Sequence, residues 1–461
     1  MAHIVPFRGI LYNKEKIGDL TSVVAPPYDV ISPEMWEALY EKSPYNIVRI
    51  NFGKRHPGNN EQENRYTRAA RLWQAWLSDG ILMRDEQPAI YVCRETYPST
   101  LLRTSTIGGE QRVRTGFIAA VRLEDFDSGR IKPHERTLSG PKADRLQLLR
   151  ATKVNFNPIF AFYADPSLRI EHLLTESVKE DPIADVEDGE SVRHTLARIT
   201  DEEVIGALVR SMAEQTVFIA DGHHRYETAL IFRDEQRNRE KAHAKPEERL
   251  TAHRSPLTAH QVDAPYNYVM MYLTNVEHTG LTILPVHRLL HRLPDFDEGD
   301  LLAHLKRFFE IRPVEHVQEL LDRMETVERQ SGQNTFGLYF GHEDLFLLIL
   351  TDKAGVDALL SKNRSPAWRT LDVAIIHAIL IQHLLKIAPE MARKGTCISY
   401  TTDAFQAAET VDRGQHQLAL FLNPTKVTQV RAIAESGEIM PQKSTYFYPK
   451  LLTGLVMRET G

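Results

Sequence analysis

The chain has 461 residues, 56 basic and 62 acidic, with 42% hydrophobic content and a net charge of −6. That composition fits a soluble globular protein able to bury a core, and it excludes a global basic field for nucleic acid while leaving a local patch open; at about 150 residues per domain the length predicts two to three domains. Cys93 and Cys397 are the only cysteines, too few for a disulfide framework or a cysteine-rich zinc site, and they fit a reducing, cytoplasmic setting. The opening MAHIVPFRGILYNKEK has no apolar signal-type region, and no apolar run approaches the roughly 20 residues needed to span a bilayer.

Residues 1–110 read as a mixed segment. Ser32-Pro33-Glu34 predicts a helix start: serine caps, proline fits the first helical position, and glutamate suits the positive helix end. Over 65–79, Tyr66, Ala69, Leu72, Trp73, Trp76 and Leu77 recur at helical spacing before Gly80, so the tryptophans belong to a core. Ala89–Glu95 and Arg112–Leu123 predict two neighbouring strands, joined by a polar loop through Gly108-Gly109.

The polar chemistry concentrates in 111–295. Pro133-His134-Glu135 sits in a turn, Asp144–Lys153 has helical spacing, and Pro158–Tyr163 predicts a buried strand. A polar, partly helical insertion is expected over about 166–213. Then comes VFIADGHHRYETALIF, residues 217–232: a short buried strand, a tight Asp221-Gly222 turn, and a helix from His223. A helix N-terminus presents unpaired N–H groups and a positive dipole end, which suits an anion. His223, His224 and Arg225 at that end oppose the dipole, a penalty that a bound phosphate would reverse. The turn is thus either a phosphate site or a solvated polar turn. Residues 233–262 are charge-rich and read as an exposed excursion, followed by a strand over Tyr268–Asn275.

In 296–461, Leu301–Phe309 and Val317–Val327 look helical, and Phe336–Tyr339 pairs with Leu345–Leu350. Leu371–Ile387 is apolar and helical. Cys397–Thr401, Ala404–Asp412, Gln417–Leu422 and Pro424–Glu435 alternate strand and helix, the pattern of an α/β layer. Lys443-Ser444-Thr445 reads as part of a loop closing the domain, punctuated by Pro441 and Pro449, with a phosphate contact as the alternative.

Several familiar sites are absent from the sequence. There is no Walker-type phosphate loop and no G-x-G-x-x-G after a strand. Leu138 stands where an H-E-x-x-H protease needs histidine, and no G-x-S-x-G elbow occurs. His224 and Glu227 could share a metal, but no third ligand is identifiable, so no metal ligand is assigned. On their own, Glu135 and Lys142 read as solvated charges.

Lys132-Pro133-His134-Glu135 and Asp221-Gly222-His223-His224-Arg225, with Arg145-Leu146-Gln147-Leu148-Leu149 between them, resemble the ParB/sulfiredoxin-like superfamily, closest to its free serine kinase branch. Along the whole chain, PFRGILYN, VAPPYDVISPE, HERTLSGPKADRLQLLRATK, ADGHHRYETAL and KSTYFYPKLLTGL resemble a bacterial family of uncharacterised conserved proteins, sometimes labelled HTH-containing. The resemblance implies a mixed α/β (α+β) fold. Its nucleotide-binding core would cover 111–295, with an N-terminal extension over 1–110 and a C-terminal α/β domain over 296–461. It implies ATP or ADP with Mg²⁺ as cofactors and a small hydroxylated metabolite, serine first, as acceptor. Glu135 resembles the catalytic carboxylate and Asp221 a second acid. Gly222, His223, His224 and Arg225 resemble the nucleotide-phosphate clamp, with His134 in the facing box and Lys142 as a further phosphate contact. The alternative is a nucleotide-binding switch or a nucleic-acid-associated protein. Net acidity and the lack of a basic recognition helix favour the kinase.

Overall fold

In the computed structural model, the described residues are 2–98, 111–137, 139–178, 181–243, 264–342, 344–388, 391 and 396–461. The Gly108-Gly109 loop and positions 244–262 lie outside them.

Nine strands form the larger sheet: β1 (Ile4–Val5), β2 (Ile90–Pro98), β3 (Gln111–Arg122), β4 (Ile131–Lys132), β5 (Ile159–Tyr163), β6 (Ala184–Glu187), β7 (Arg193–Ile199), β8 (Val217–Asp221) and β9 (Tyr268–Asn275). Their spatial order is β4-β8-β5-β9-β3-β2-β7-β6, with β1 also paired to β3. The predicted β2–β3 pair is antiparallel, with Glu95 opposite Arg114. Strand β9, YVMMYLTN, is buried along its whole length, because both sheet faces are covered.

One face is closed by helices Arg169–Ser177 and Glu202–Ala213 and by α2 (His223–His243), through Ile170, Leu208, Met212 and Tyr226. The other is closed by helix Arg65–Ser78 and by the chain's C-terminal segment. That helix starts at an Asn64 capping box and buries Trp73 and Trp76, as its spacing predicts. From the C-terminal segment, Phe447 enters between Phe160 and Phe162, with ring centroids 5.5 and 6.1 Å away. Burying a side chain of that size contributes about 1.5–3 kcal/mol. Strand Tyr446–Tyr448 pairs with Thr282–Leu284, and Arg458–Glu459 with Val154–Asn155, so residues near the end of the chain line its centre.

The second sheet, all antiparallel, is built from β10 (His287–Leu290), β11 (Phe309–Pro313), β12 (Thr335–Tyr339), β13 (Leu345–Leu350), β14 (Ile398–Thr401) and β15 (Leu418–Leu422), ordered β11-β13-β12-β15-β10-β14. The fold is mixed α/β, as expected.

Four local expectations are corrected or made more specific. The expected insertion at 166–213 contributes β6 and β7 to the main sheet; an edge hairpin with a solvent-facing side, where Arg193 pairs with Asp185 at 2.6 Å, is polar by composition. The 233–243 part of the expected excursion is helical and continues α2, and its Arg233 is buried and pairs with Asp125 at 3.0 Å. The helix expected over 301–309 ends at Leu305, and Phe309 opens β11 opposite Leu350. The 371–387 stretch is α-helical over Asp372–Ile376 and then π-helical over His377–Leu384. Among the described residues no helix is long and apolar enough to cross a membrane.

Candidate functional site

The Asp221 turn forms as its sequence dictates. Strand β8 ends at Asp221, Gly222 takes φ +98°, and α2 begins at His223. A Cβ at 222 would be strained at that φ, which favours glycine; it would also lie 2.9 Å from the end of the movable Arg225 side chain. Across from the turn, β4 leads into Pro133-His134-Glu135, held by the parallel pairing of β4 with β8. Helix α1 (Ser139–Thr152) follows, starting five residues earlier than its apolar spacing indicates, with Pro141 in its first turn.

His134 and His223 form a buried pair with ring centroids 4.7 Å apart. His134 Nδ1 lies 2.8 Å from the Ile219 carbonyl, which can only accept, so the proton sits on Nδ1. Its Nε2 then accepts from Thr445 Oγ1 at 3.1 Å. The His134 N–H donates to His223 Nε2 at 3.2 Å, which leaves the His223 proton on Nδ1. That Nδ1 faces the Glu135 carboxylate at 4.0 Å, beyond a direct hydrogen bond. Burial pulls His134 down to about 4 and pushes His223 well below its ordinary value, so both rings are neutral at pH 7.

Glu135 keeps a third of its side chain exposed. Burial of its carboxyl nevertheless raises its pKa, the Lys443 charge opposes this, and Asp221 adds to it. Glu135 also accepts a hydrogen bond from the Lys443 backbone N–H. Asp221 is the opposite case. Burial works against its charge, but Lys450, at 2.7 Å, and Arg225, at 3.8 Å, hold it well below the usual carboxylate range. Lys450 also lies 4.1 Å from the Tyr446 ring centre. The other Arg225 donors go inward, to the Asn157 side chain and to the Pro158 carbonyl at 2.6 Å. His224 is lowered by burial, and Asp29, from the N-terminal loop, opposes that shift. Lys142 lies on α1 and pairs with Glu227 at 2.8 Å, and Thr137 donates to the same carboxylate oxygen.

Chain positions near 29, 135, 221 and 450 therefore meet at one turn. Sequence reading missed Lys450 and Asp29 as parts of it. The signal for Lys450 was only the KSTYFYPKLLTGL tail, and nothing local ties a lysine to an aspartate 229 positions away.

The buried histidines of this turn work against stability in acid. With His134 at about 4 in the fold and about 6.5 unfolded, the unfolded chain takes the proton first. Stability is therefore lost as pH falls from about 6.5 to about 4, on the order of 3 kcal/mol from His134 alone. His223 acts with the same sign, while the raised Glu135 opposes the loss low in this window. Asp221, being depressed, adds its own loss only below about pH 4. Asp372, raised to about 7, gains stability over the same window, and His287 and His377, lowered to about 3 and about 4, lose it. The test is therefore a difference: the change in urea stability between pH 7 and pH 4.5 should be less unfavourable in His134→Gln than in wild type, and an identical change would contradict it.

No curated protein matches the chain. Similar solved structures include a free serine kinase in complex with AMP, 14% identical, covering 70% of this chain and 88% of that one, with a TM-score of 0.32. A conserved hypothetical protein from Pyrococcus furiosus is 12% identical, covering 70% and 90%, with a TM-score of 0.31. SbnI with a C-terminal truncation, from Staphylococcus aureus, is 9% identical, covering 75% and 83%, with a TM-score of 0.30. The family described as "Protein of unknown function (DUF1015)" matches residues 4–374, and the chain belongs to that family.

Proposed function

We propose that this protein transfers a phosphoryl group from a nucleotide, ATP or ADP, to the hydroxyl of a small metabolite, with free serine the first acceptor to test. One observation carries the reading: a carboxyl raised by burial, Glu135, faces a helix N-terminus backed by Lys450 and Arg225. Phosphoryl transfer needs positioning and charge neutralisation more than covalent help. The α2 N-terminus and Lys450 supply positive potential for phosphates. Glu135, with its raised pKa, accepts the hydroxyl proton. Neutral His223 turns its Nδ1–H toward that carboxylate from 4.0 Å, adding no like charge beside the base. Lys142 reaches a phosphate only if its pair with Glu227 opens. The choice of serine rests on the sequence resemblance of the two boxes.

Magnesium takes oxygen ligands and, on a nucleotide, needs only one or two protein carboxylates. Among the described residues no group of three or more His, Cys, Asp or Glu side chains could hold a metal ion alone. Asp221 is the carboxylate this turn offers to a nucleotide-borne Mg²⁺, which when bound would neutralise phosphate charge.

Calorimetric titration with ATP and ADP, with and without Mg²⁺, tests the binding half. Arg225→Ala and Lys450→Met should each weaken nucleotide affinity by about 1.5–3 kcal/mol, the size of a lost charged hydrogen bond. Unchanged affinity in both removes the turn from nucleotide binding. Nucleotide binding with no transfer to serine, homoserine, threonine or glycerate, followed by mass spectrometry, would favour a switch over a kinase.

A further inference from the structure

Beside the Glu135 loop, the second sheet and the 439–442 segment enclose a cavity of about 520 Å³. Its described lining contains three arginines, Arg136, Arg288 and Arg364, and no aspartate or glutamate. Arg288, on β10, is only 6% exposed. Its guanidinium donates to the Val286 carbonyl and, at 3.0 Å, to the Lys443 carbonyl. Those bonds use two of five N–H donors, and no carboxylate pairs with it among the described residues. Asp372 is near enough to act on its charge, but that carboxyl accepts from Asn334 at 2.6 Å and is not part of the cavity wall. Burial lowers Arg288 only to about 10, so it stays charged at neutral pH. A buried cation without a counter-ion is costly and calls for one.

The other cations surround the same space. Arg136 follows Glu135 directly, is exposed at the rim, and has no ion-pair partner among the described residues. Arg364 lies over the Trp368 ring at 5.0 Å, with Glu438 3.6 Å away. His377 is kept neutral, at about 4, by burial and by the Arg288 charge. The remaining walls are largely apolar, including Ile376, Ile381, Ile398, Leu420 and Met440. His377, Ala378, Ile381 and Gln382 come from the π-helical stretch, a widened helix form that recurs at functional sites.

Cationic donors and apolar side chains lining one cavity define the ligand. A bare inorganic ion would leave the apolar walls unused, and a neutral body would leave Arg288 uncompensated. We propose that this cavity binds a small organic anion, an apolar body ending in a carboxylate or a phosphate monoester, with Arg288 and Arg136 holding the anionic end. The assignment stands on the cavity alone and does not require the phosphoryl-transfer reading.

Calorimetry on the full chain with phenylacetate and phenyl phosphate tests it and separates the two anion types. At least one should bind saturably, with benzyl alcohol and inorganic phosphate at least tenfold weaker. Arg288→Met and Arg136→Ala should each weaken that binding tenfold or more. The ligand should also change tryptophan fluorescence, and Trp368→Phe should abolish that response while calorimetric binding persists. ADP titrated into the same variants reports on the Asp221 turn, so failure of one site is distinguishable from failure of the other. Should Arg288→Met not fold, Arg136→Ala, at an exposed position, decides the case. The proposal falls if neither anion binds, if benzyl alcohol binds as tightly, if Arg136→Ala keeps wild-type affinity, or if the fluorescence response survives Trp368→Phe.

Discussion

Glu135→Gln is expected to lower turnover by about 10²–10⁴-fold, the usual size of a general-base contribution, and to leave nucleotide affinity unchanged. Glutamine keeps the shape and can still accept the Lys443 N–H through its amide oxygen, so the loop should hold its place. What it loses is the ability to take a proton. The nucleotide lies with Lys450 and the α2 N-terminus in this reading, not with Glu135, so binding and turnover should separate. The wild-type rate should also fall on the acid side, because the base must be ionised. That fall should lie above the ordinary glutamate range, since burial raises this carboxyl. A Gln variant as fast as wild type would remove Glu135 from the chemistry, even in an active kinase. An acid limb at an unperturbed glutamate value would remove it as the titrating base.

What the sequence makes legible here is local. The Asp221-Gly222 turn can be read because a four-residue apolar run, a glycine and a helical stripe each have a short-range cause. The Ser32-Pro33 cap and the closing strand–helix alternation are legible for the same reason. Composition misleads where solvent faces dominate. Residues 233–243 carry so much charge that their helix reads as an exposed excursion, though Arg233 is buried and held by the Leu123 carbonyl. The strand Arg193–Ile199, next to the sheet edge, hides for a similar reason, its buried His194, Leu196 and Ile199 interleaved with the exposed or half-exposed Arg193, Thr195 and Arg198. The neutrality of His134 and His223 was illegible, because two adjacent polar boxes read as charge until burial is known. Lys450 was illegible for a topological reason: it reaches Asp221 because the end of the chain returns along the larger sheet.

A buried ion pair touches that returning segment, and Glu95→Ala is expected to cost about 3–5 kcal/mol of unfolding free energy, as for a buried pair broken by removal of one partner. Glu95 on β2 and Arg114 on β3 are direct cross-strand neighbours, both fully buried, 3.1 Å apart. Tyr272 from β9 donates to the same carboxylate at 3.0 Å. The Arg114 guanidinium sits over the Phe160 ring at 4.5 Å and donates to the Tyr448 and Pro449 carbonyls at 3.1 and 2.7 Å. Removing Glu95 leaves that guanidinium buried and uncompensated, whereas Glu95→Gln keeps an acceptor and should cost less. The double variant Glu95→Leu/Arg114→Met should recover much of the loss, because an apolar pair can replace a buried ion pair at little cost. It cannot donate to the two carbonyls that precede Lys450. Stability and nucleotide affinity should therefore part in the double variant: urea unfolding returns toward wild type, while affinity for ADP stays weakened. Full recovery of both would show that Arg114 does not position Lys450. A Glu95→Ala protein within about 1 kcal/mol of wild type would show that the buried charge finds other compensation.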